Sequence, residues 1–208
     1  NGLIIAKIGV PSIVVTLGMQ FLIRGLSNLL SNGTAIIVRV RGSISHQFLV
    51  GKIGNVPLQS LWFLGIAIFL FFLLFRHKFG EHILFVGDNV EAARMMGVNV
   101  DWVKIGAFSL MGALAAMAGI FDLYRMGTWW PTMGEGYLMM VMAAVFVGGT
   151  SMFGGEASIF GTFLGAFMIG ALEAGIVAAG LKGFWTRFII GLLIISAVVV
   201  HTLIRKRK

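Results

Sequence analysis

The sequence predicts an all-α, polytopic membrane protein with about six transmembrane helices and one short helix in a cytoplasmic loop. Of its 208 residues, 58% are hydrophobic and only 12% are charged, whereas soluble domains carry about 25% charged residues. The mean hydropathy is +0.96. Stretches such as residues 61–75 are apolar on every side, and so they are suited to lipid and not to water.

Six segments are long or apolar enough to be considered as membrane spans, since a helical span needs about 20 apolar residues. The fourth is short, and we expect it to be tilted, broken or extended by the glycines that follow it. The predicted spans are residues 6–30, 56–75, 103–126, 137–147, 159–179 and 184–204.

The distribution of Lys and Arg predicts the orientation. With a cytoplasmic N-terminus, nine of the 16 basic residues lie on the inner side and six on the outer side, and Arg24 lies within a span. Four basic residues, 205–208, directly follow the last span. We therefore expect a cytoplasmic C-terminus.

Composition also argues against several kinds of function. The chain has no cysteine and only four histidines, none of them at an H-x-x-x-H spacing, so we expect no metal site and no cysteine nucleophile. The net charge of +8 is explained by basic loops and a basic tail beside the membrane. We therefore expect no nucleic-acid partner, no catalytic residue and no cofactor within this chain.

Charged residues within the spans are few: Arg24, Asp122 and Glu173. Glu173 lies about 21 Å along the fifth span, inside a hydrocarbon core about 30 Å thick. An ionisable group at that depth indicates a function, or else a helix-packing hydrogen bond or a position near the outer interface. Small residues spaced four apart, as at Gly161 and Gly165, predict close helix packing.

The polar loop after the second span predicts a short helix. Asp88 or Asn89 can cap a helix from Val90 to Met96, and Gly97 can end it. Such a helix either lies on lipid headgroups or docks in a groove of a soluble partner.

The motif Glu91-Ala92-Ala93-x-x-x-Gly97 resembles the coupling motif of bacterial ABC importer permeases. Residues 10–19, 86–89, 143–155 and 161–166 extend the resemblance, in the same order, to the permease subunit of the ribose, xylose and galactose class within the branched-chain amino acid and sugar permease superfamily. Asp88 and Glu156 depart from the pattern of many relatives. Members have roughly three hundred residues, and we expect this chain, 1–208, to be a single permease domain that lacks about the first third.

The resemblance implies a location in a bacterial inner membrane and a set of partners and roles. Two permease chains would form the pathway, a cytoplasmic ATPase pair would bind ATP, and an extracellular or periplasmic substrate-binding protein would deliver a sugar. Region 88–100 would be the coupling helix that contacts the ATPase, and its candidate contact residues are Glu91, Ala92, Ala93, Arg94 and Gly97.

Two further groups of residues are candidates for function. The glycine-rich segment between the fourth and fifth spans is interpreted either as a tight turn or as part of the pathway, and its candidate residues are Gly148, Gly149, Thr150, Ser151, Gly154 and Gly155. It lacks the Lys-Ser/Thr pair of a phosphate loop, so ATP binding there is not expected. Arg39, Arg41 and Lys52, in a predicted outer loop, either receive the binding protein or contact lipid and solvent.

The alternative to an ATP-driven importer is a secondary transporter driven by an ion gradient. Such a transporter would need a network of ionisable groups within the membrane, and three are too few to favour it. An intramembrane enzyme would need a nucleophile with a base, or metal ligands, at membrane depth, and it is disfavoured because the chain has no cysteine and no membrane-centred histidine pair.

Overall fold

The computed structural model describes residues 1–38, 42–54, 56–151, 154–181 and 183–206. The predicted all-α class is confirmed. The helices are a short π-helix Ile4–Ile8, then α1 Ser12–Ser31, α2 Ile44–Val50, α3 Leu58–Arg76, α4 Lys78–Asp88, α5 Val90–Met95, α6 Val100–Met126, α7 Tyr137–Val147, α8 Ile159–Ala178 and α9 Gly183–Lys206. The strands are two residues each: β1 Ile36–Ile37, β2 Lys52–Ile53, β3 Val56–Pro57 and β4 Thr128–Trp129.

Four of the described helices, α1, α3, α6 and α8, are long and apolar enough to cross a membrane. Helix α3 is the most apolar, with a mean hydropathy of 2.3 over its best window, none of which is buried inside the protein. At the other two predicted spans, α7 has 11 residues, and the described apolar part of α9 is Gly183–Ala197. Whether α7 and α9 cross the membrane stays a prediction.

The predicted start of the first span was wrong. Instead of one helix from residue 6, the chain forms the π-helix Ile4–Ile8, breaks, and begins α1 at Ser12. Gly9 adopts a left-handed conformation with φ of 80°, and Pro11 stands just before α1. Proline has no amide hydrogen and its ring clashes with the preceding helical turn, so the helix restarts after it.

The chain divides into two compact units. The first consists of Asn1–Ile68 and Ala93–Gly134, and the second of Phe69–Ala92 and Glu135–Lys208. In the first unit, α6 packs against the π-helix and against α2, and the rings of Phe63 and Phe121 lie 5.2 Å apart. In the second, α7 packs against both α8 and α9, around a core of Ala143, Ala144, Ile169 and Ile190.

The first unit also contains short elements where the sequence predicted loops, and strand β3 replaces the first two residues of the span predicted at 56–75. Strands β1 and β4 pair antiparallel, with Ile36 opposite Trp129, and β2 pairs with β3 in a small hairpin. Helix α2 is held to α3 by the Trp62 indole, which donates a hydrogen bond to the Phe48 carbonyl at 3.1 Å. These elements are too short to show a periodic pattern.

Candidate functional site

The predicted short helix after the second span is present as α5, Val90–Met95. Asn89 begins it, because its side-chain oxygen accepts hydrogen bonds from the Glu91 and Ala92 amides, each at 3.0 Å. At the other end, Gly97 is left-handed, with φ of 81°. The Gly97 amide donates to the Arg94 carbonyl and the Val98 amide to the Ala93 carbonyl, which is the Schellman arrangement of a helix end.

The candidate coupling residues differ in exposure. Glu91, Arg94 and Gly97 are exposed, Ala92 is half-buried, and Ala93 is fully buried. Met95 and Met96 are also exposed, by 84% and 61%. The helix thus presents charged and flexible apolar side chains outward while one small residue faces the protein, a surface suited to contact with another protein.

Helix α4, Lys78–Asp88, was missed in the sequence analysis, which treated residues 76–89 as a loop. Its first turn is capped by His77, whose Nδ1 accepts from the Phe79 amide at 3.1 Å. Gly80 makes its start possible, because a Cβ there would contact the backbone of Leu73 and Leu74. The recurrence of apolar residues three and four positions apart in this segment is the helical pattern that could have predicted it.

The described residues of the glycine-rich segment form a non-helical turn, the first of the two interpretations, while a role in the pathway stays a prediction. Helix α7 ends at Val147, α8 begins at Ile159, and Gly149, Gly154 and Gly155 are all left-handed. Residues 152 and 153 lie outside the described residues. The half-buried Ser151 donates its amide to the Glu156 carbonyl at 3.1 Å.

Thr150 ties this turn to the start of α8. Its hydroxyl oxygen accepts a hydrogen bond from the Ser158 amide at 3.3 Å and lies 3.1 Å from the Thr162 hydroxyl. The Ser158 hydroxyl in turn accepts from the Gly161 amide at 3.0 Å and caps α8. The backbone amides of Ser158 and Gly161 therefore have hydrogen-bond partners although they lie outside the regular helical pattern. A polar group buried away from water without a partner would cost several kcal/mol of folding free energy.

The turn also brings α7 and α8 into backbone contact. A Cβ on Gly165 would meet the Ala144 carbonyl oxygen, and one on Gly148 would lie 2.6 Å from the Gly161 carbonyl carbon. Ala144 on α7 and Gly148, directly after that helix, thus face Gly165 and Gly161 on α8, so the close packing predicted for Gly161 and Gly165 is confirmed. Gly149 differs from the expectation of tight packing, since a Cβ there would meet nothing within 4 Å.

The predicted intramembrane charges lie on three different helices: Arg24 on α1, Asp122 on α6 and Glu173 on α8. All three are half-buried. Arg24 and Asp122 belong to the first unit and Glu173 to the second. Glu173 lies on the same face of α8 as the buried Ile169 and Ile176, four residues after one and three before the other.

Of the residues predicted to receive a binding protein, Arg39 and Arg41 lie outside the described residues. Lys52 is exposed in β2, opposite Pro57. Its side chain is therefore placed at the protein surface, as a docking role requires, while that role stays a prediction.

Comparison with known sequences identifies the family. The profile of the family "Branched-chain amino acid transport system / permease component" matches residues 1–198. The chain belongs to this family.

Three relatives illustrate the range of this permease family. The chain is 34% identical to the ribose import permease protein RbsC of Escherichia coli (strain K12) over 203 residues, which cover 96% of this chain and 63% of the relative. It is 34% identical to the fructose import permease protein FrcC of Rhizobium meliloti, covering 99% of this chain and 59% of FrcC.

The third relative is the autoinducer 2 import system permease protein LsrC of Salmonella paratyphi B (strain ATCC BAA-1250 / SPB7), 34% identical over 96% of this chain and 57% of LsrC. The chain thus spans roughly three-fifths of the length of these curated relatives. No solved structure matches it at a significant level.

Proposed function

We propose that this chain is the membrane-spanning permease subunit of an ATP-driven importer that translocates a monosaccharide or a similar small polar solute. The observation that carries the proposal is the match, over nearly the whole chain, to permeases named for the import of ribose and of fructose. The apolar helices α1, α3, α6 and α8 supply the membrane-spanning part that such a subunit requires.

The subunit performs no covalent chemistry in this proposal. ATP is bound and hydrolysed by a separate cytoplasmic ATPase, a substrate-binding protein delivers the solute from outside, and a second permease chain completes the pathway. The exposed residues of α5, Glu91 and Arg94 among them, contact the ATPase. This assignment puts α5 and the C-terminus on the cytoplasmic side of a bacterial inner membrane.

The mechanism is alternating access. ATP binding closes the ATPase pair, α5 moves with it, and the pathway changes the side on which it is open. The coupling works only if the ATPase contacts differ between the two states, because a partner that binds both states equally shifts neither. The short α5, fixed at both ends by Asn89 and Gly97, is a rigid element on which such a difference can act.

An ion-coupled transporter is the second candidate, and the observation that favours it is Glu173, a half-buried acid on an apolar helix. Vesicles reconstituted with the permease, its ATPase and its binding protein separate the two candidates. We expect uptake of radiolabelled sugar only with hydrolysable ATP on the ATPase side, unaffected by collapse of ion gradients. Uptake that follows a proton or sodium gradient without ATP would overturn the importer proposal.

A further inference from the structure

The end of helix α4 contacts the second half of the turn at residues 148–155, within the second unit. A Cβ on Gly154 would meet the Gly87 carbonyl oxygen and lie 2.7 Å from the Gly87 carbonyl carbon. In the other direction, a Cβ on Gly87 would lie 3.0 Å from the Gly155 nitrogen. The two segments therefore touch backbone to backbone, and no flexible side chain can yield at this point.

Gly155, the next residue of the turn, makes a further contact with the end of α4. A Cβ on Gly155 would lie 2.8 Å from the Asp88 Oδ1 atom, so the Asp88 side chain closes over the Gly155 backbone. Asp88 is the last residue of α4, and the following residue, Asn89, caps α5. Residues 87–89 thus touch the turn and begin α5 without any intervening linker. We call residues 87–89 with 154–155 the glycine joint.

The turn is fastened to α8 on its other side. Thr150 is hydrogen-bonded to the Ser158 amide, and Gly148 lies against Gly161. The glycine joint is thus connected to α5 through Asn89, and to the α7–α8 hairpin through residues 156–158, where the Glu156 carbonyl accepts from the Ser151 amide. Close-packed elements of this kind transmit displacement because they resist compression.

We propose that the glycine joint is a positioning element that passes the displacement of α5 to the α7–α8 hairpin during transport. The proposal rests on the proposed function, since it needs an ATPase that moves α5. Gly87 and Gly154 act through the contact they make, not by touching the transported solute. If the joint only stabilised the local fold, its loss would lower the amount of folded protein without changing the ratio of import to ATP hydrolysis.

Two substitutions insert a side chain into the joint, and each has a matched control. Gly154→Ala strains a left-handed residue and clashes with Gly87, whereas Gly180→Ala strains a residue with a similar φ, 72°, whose Cβ would meet nothing within 4 Å. Gly87→Ala inserts a milder contact into a helix, and Gly65→Ala is its helical control in open space. Alanine favours helix over glycine, so damage from Gly87→Ala cannot come from helix propensity.

The experiment measures sugar import and ATP hydrolysis by the complete reconstituted transporter at equal amounts of folded permease. We expect import per ATP hydrolysed to fall about tenfold or more in Gly154→Ala, and to a smaller extent in Gly87→Ala, with both controls near the unmodified ratio.

An unchanged ratio in both joint variants would overturn the inference, as would loss of folded protein in both variants, because that outcome assigns the joint a structural role alone. Failure of the proposed function looks different, since the unmodified transporter would then show no ATP-dependent import at all.

Discussion

Gly148 and Gly161 lie in backbone contact: a Cβ on Gly148 would be 2.6 Å from the Gly161 carbonyl carbon and from the Thr162 Cα atom. The contact is repeated one helical turn away, where Gly165 lies against Ala144. Helices α7 and α8 therefore approach as closely as their backbones allow. In lipid, where apolar side chains gain nothing by leaving the solvent, such close packing is what holds helices together.

Substitution at this contact should destabilise the hairpin. We expect Gly161→Ala to lower the stability of the folded permease by about 1–3 kcal/mol, the usual cost of overpacking, because neither backbone can move aside. Gly170→Ala on the same helix is the control, since a Cβ there would meet nothing within 4 Å. Thermal unfolding in detergent measures the difference, and equal melting temperatures for the two variants would contradict the prediction.

The Thr150 hydroxyl should contribute to the order of the glycine-rich turn. Thr150→Val removes the acceptor for the Ser158 amide and the contact with Thr162 while keeping a similar shape. We expect a loss of about 1–3 kcal/mol, because a half-buried amide then lacks a partner. Thr150→Ser keeps the hydroxyl and should keep most of the stability. Faster hydrogen exchange at the Ser158 amide in the valine variant alone is the measurement, and unchanged exchange would refute the role.

A large side chain at the end of α5 should uncouple ATP hydrolysis from sugar import. Gly97 is left-handed and exposed, so Gly97→Trp both strains the helix end and places a large ring on the surface proposed to meet the ATPase. We expect normal insertion and continued ATP hydrolysis with little sugar import. Gly97→Asn is the control, because asparagine tolerates this conformation and adds little volume. Normal sugar import by the Gly97→Trp variant would contradict the proposal that α5 couples the ATPase to transport.

Charge reversal at Arg39, Arg41 and Lys52 tests the proposed docking of the substrate-binding protein. We expect Lys52→Glu combined with reversal of both arginines to slow association, with a larger effect at low salt, where the screening length is longer. Surface plasmon resonance at two ionic strengths gives the association rate. Reversal of Lys104 serves as the control, because this residue lies near the start of α6, on the predicted inner side and away from the binding protein. An unchanged rate at low salt would mean that the three residues are simply solvated.

The sequence alone was sufficient for the helical class, the number of apolar segments and the family. Hydrophobic length and composition are local properties, and α3 and α8 show them without reference to any other part of the chain. The caps of α5 were also predictable, because Asn89 and Gly97 act on amides and carbonyls only two to four residues away. The break before α1 carried a local signal too, in Gly9 and Pro11, but the apolar run around it outweighed that signal.

Only the tertiary structure decided which glycines matter. Gly149 and Gly154 look alike in sequence and are both left-handed, yet a Cβ would be free at one and would strike Gly87 at the other. Gly87 and Gly154 are 67 residues apart, and the contact between them depends on where the chain returns after α7. A glycine has no side chain whose size, polarity or charge could indicate the residue it contacts. Contacts between glycine backbones therefore leave no pattern in the sequence and are seen only in the tertiary structure.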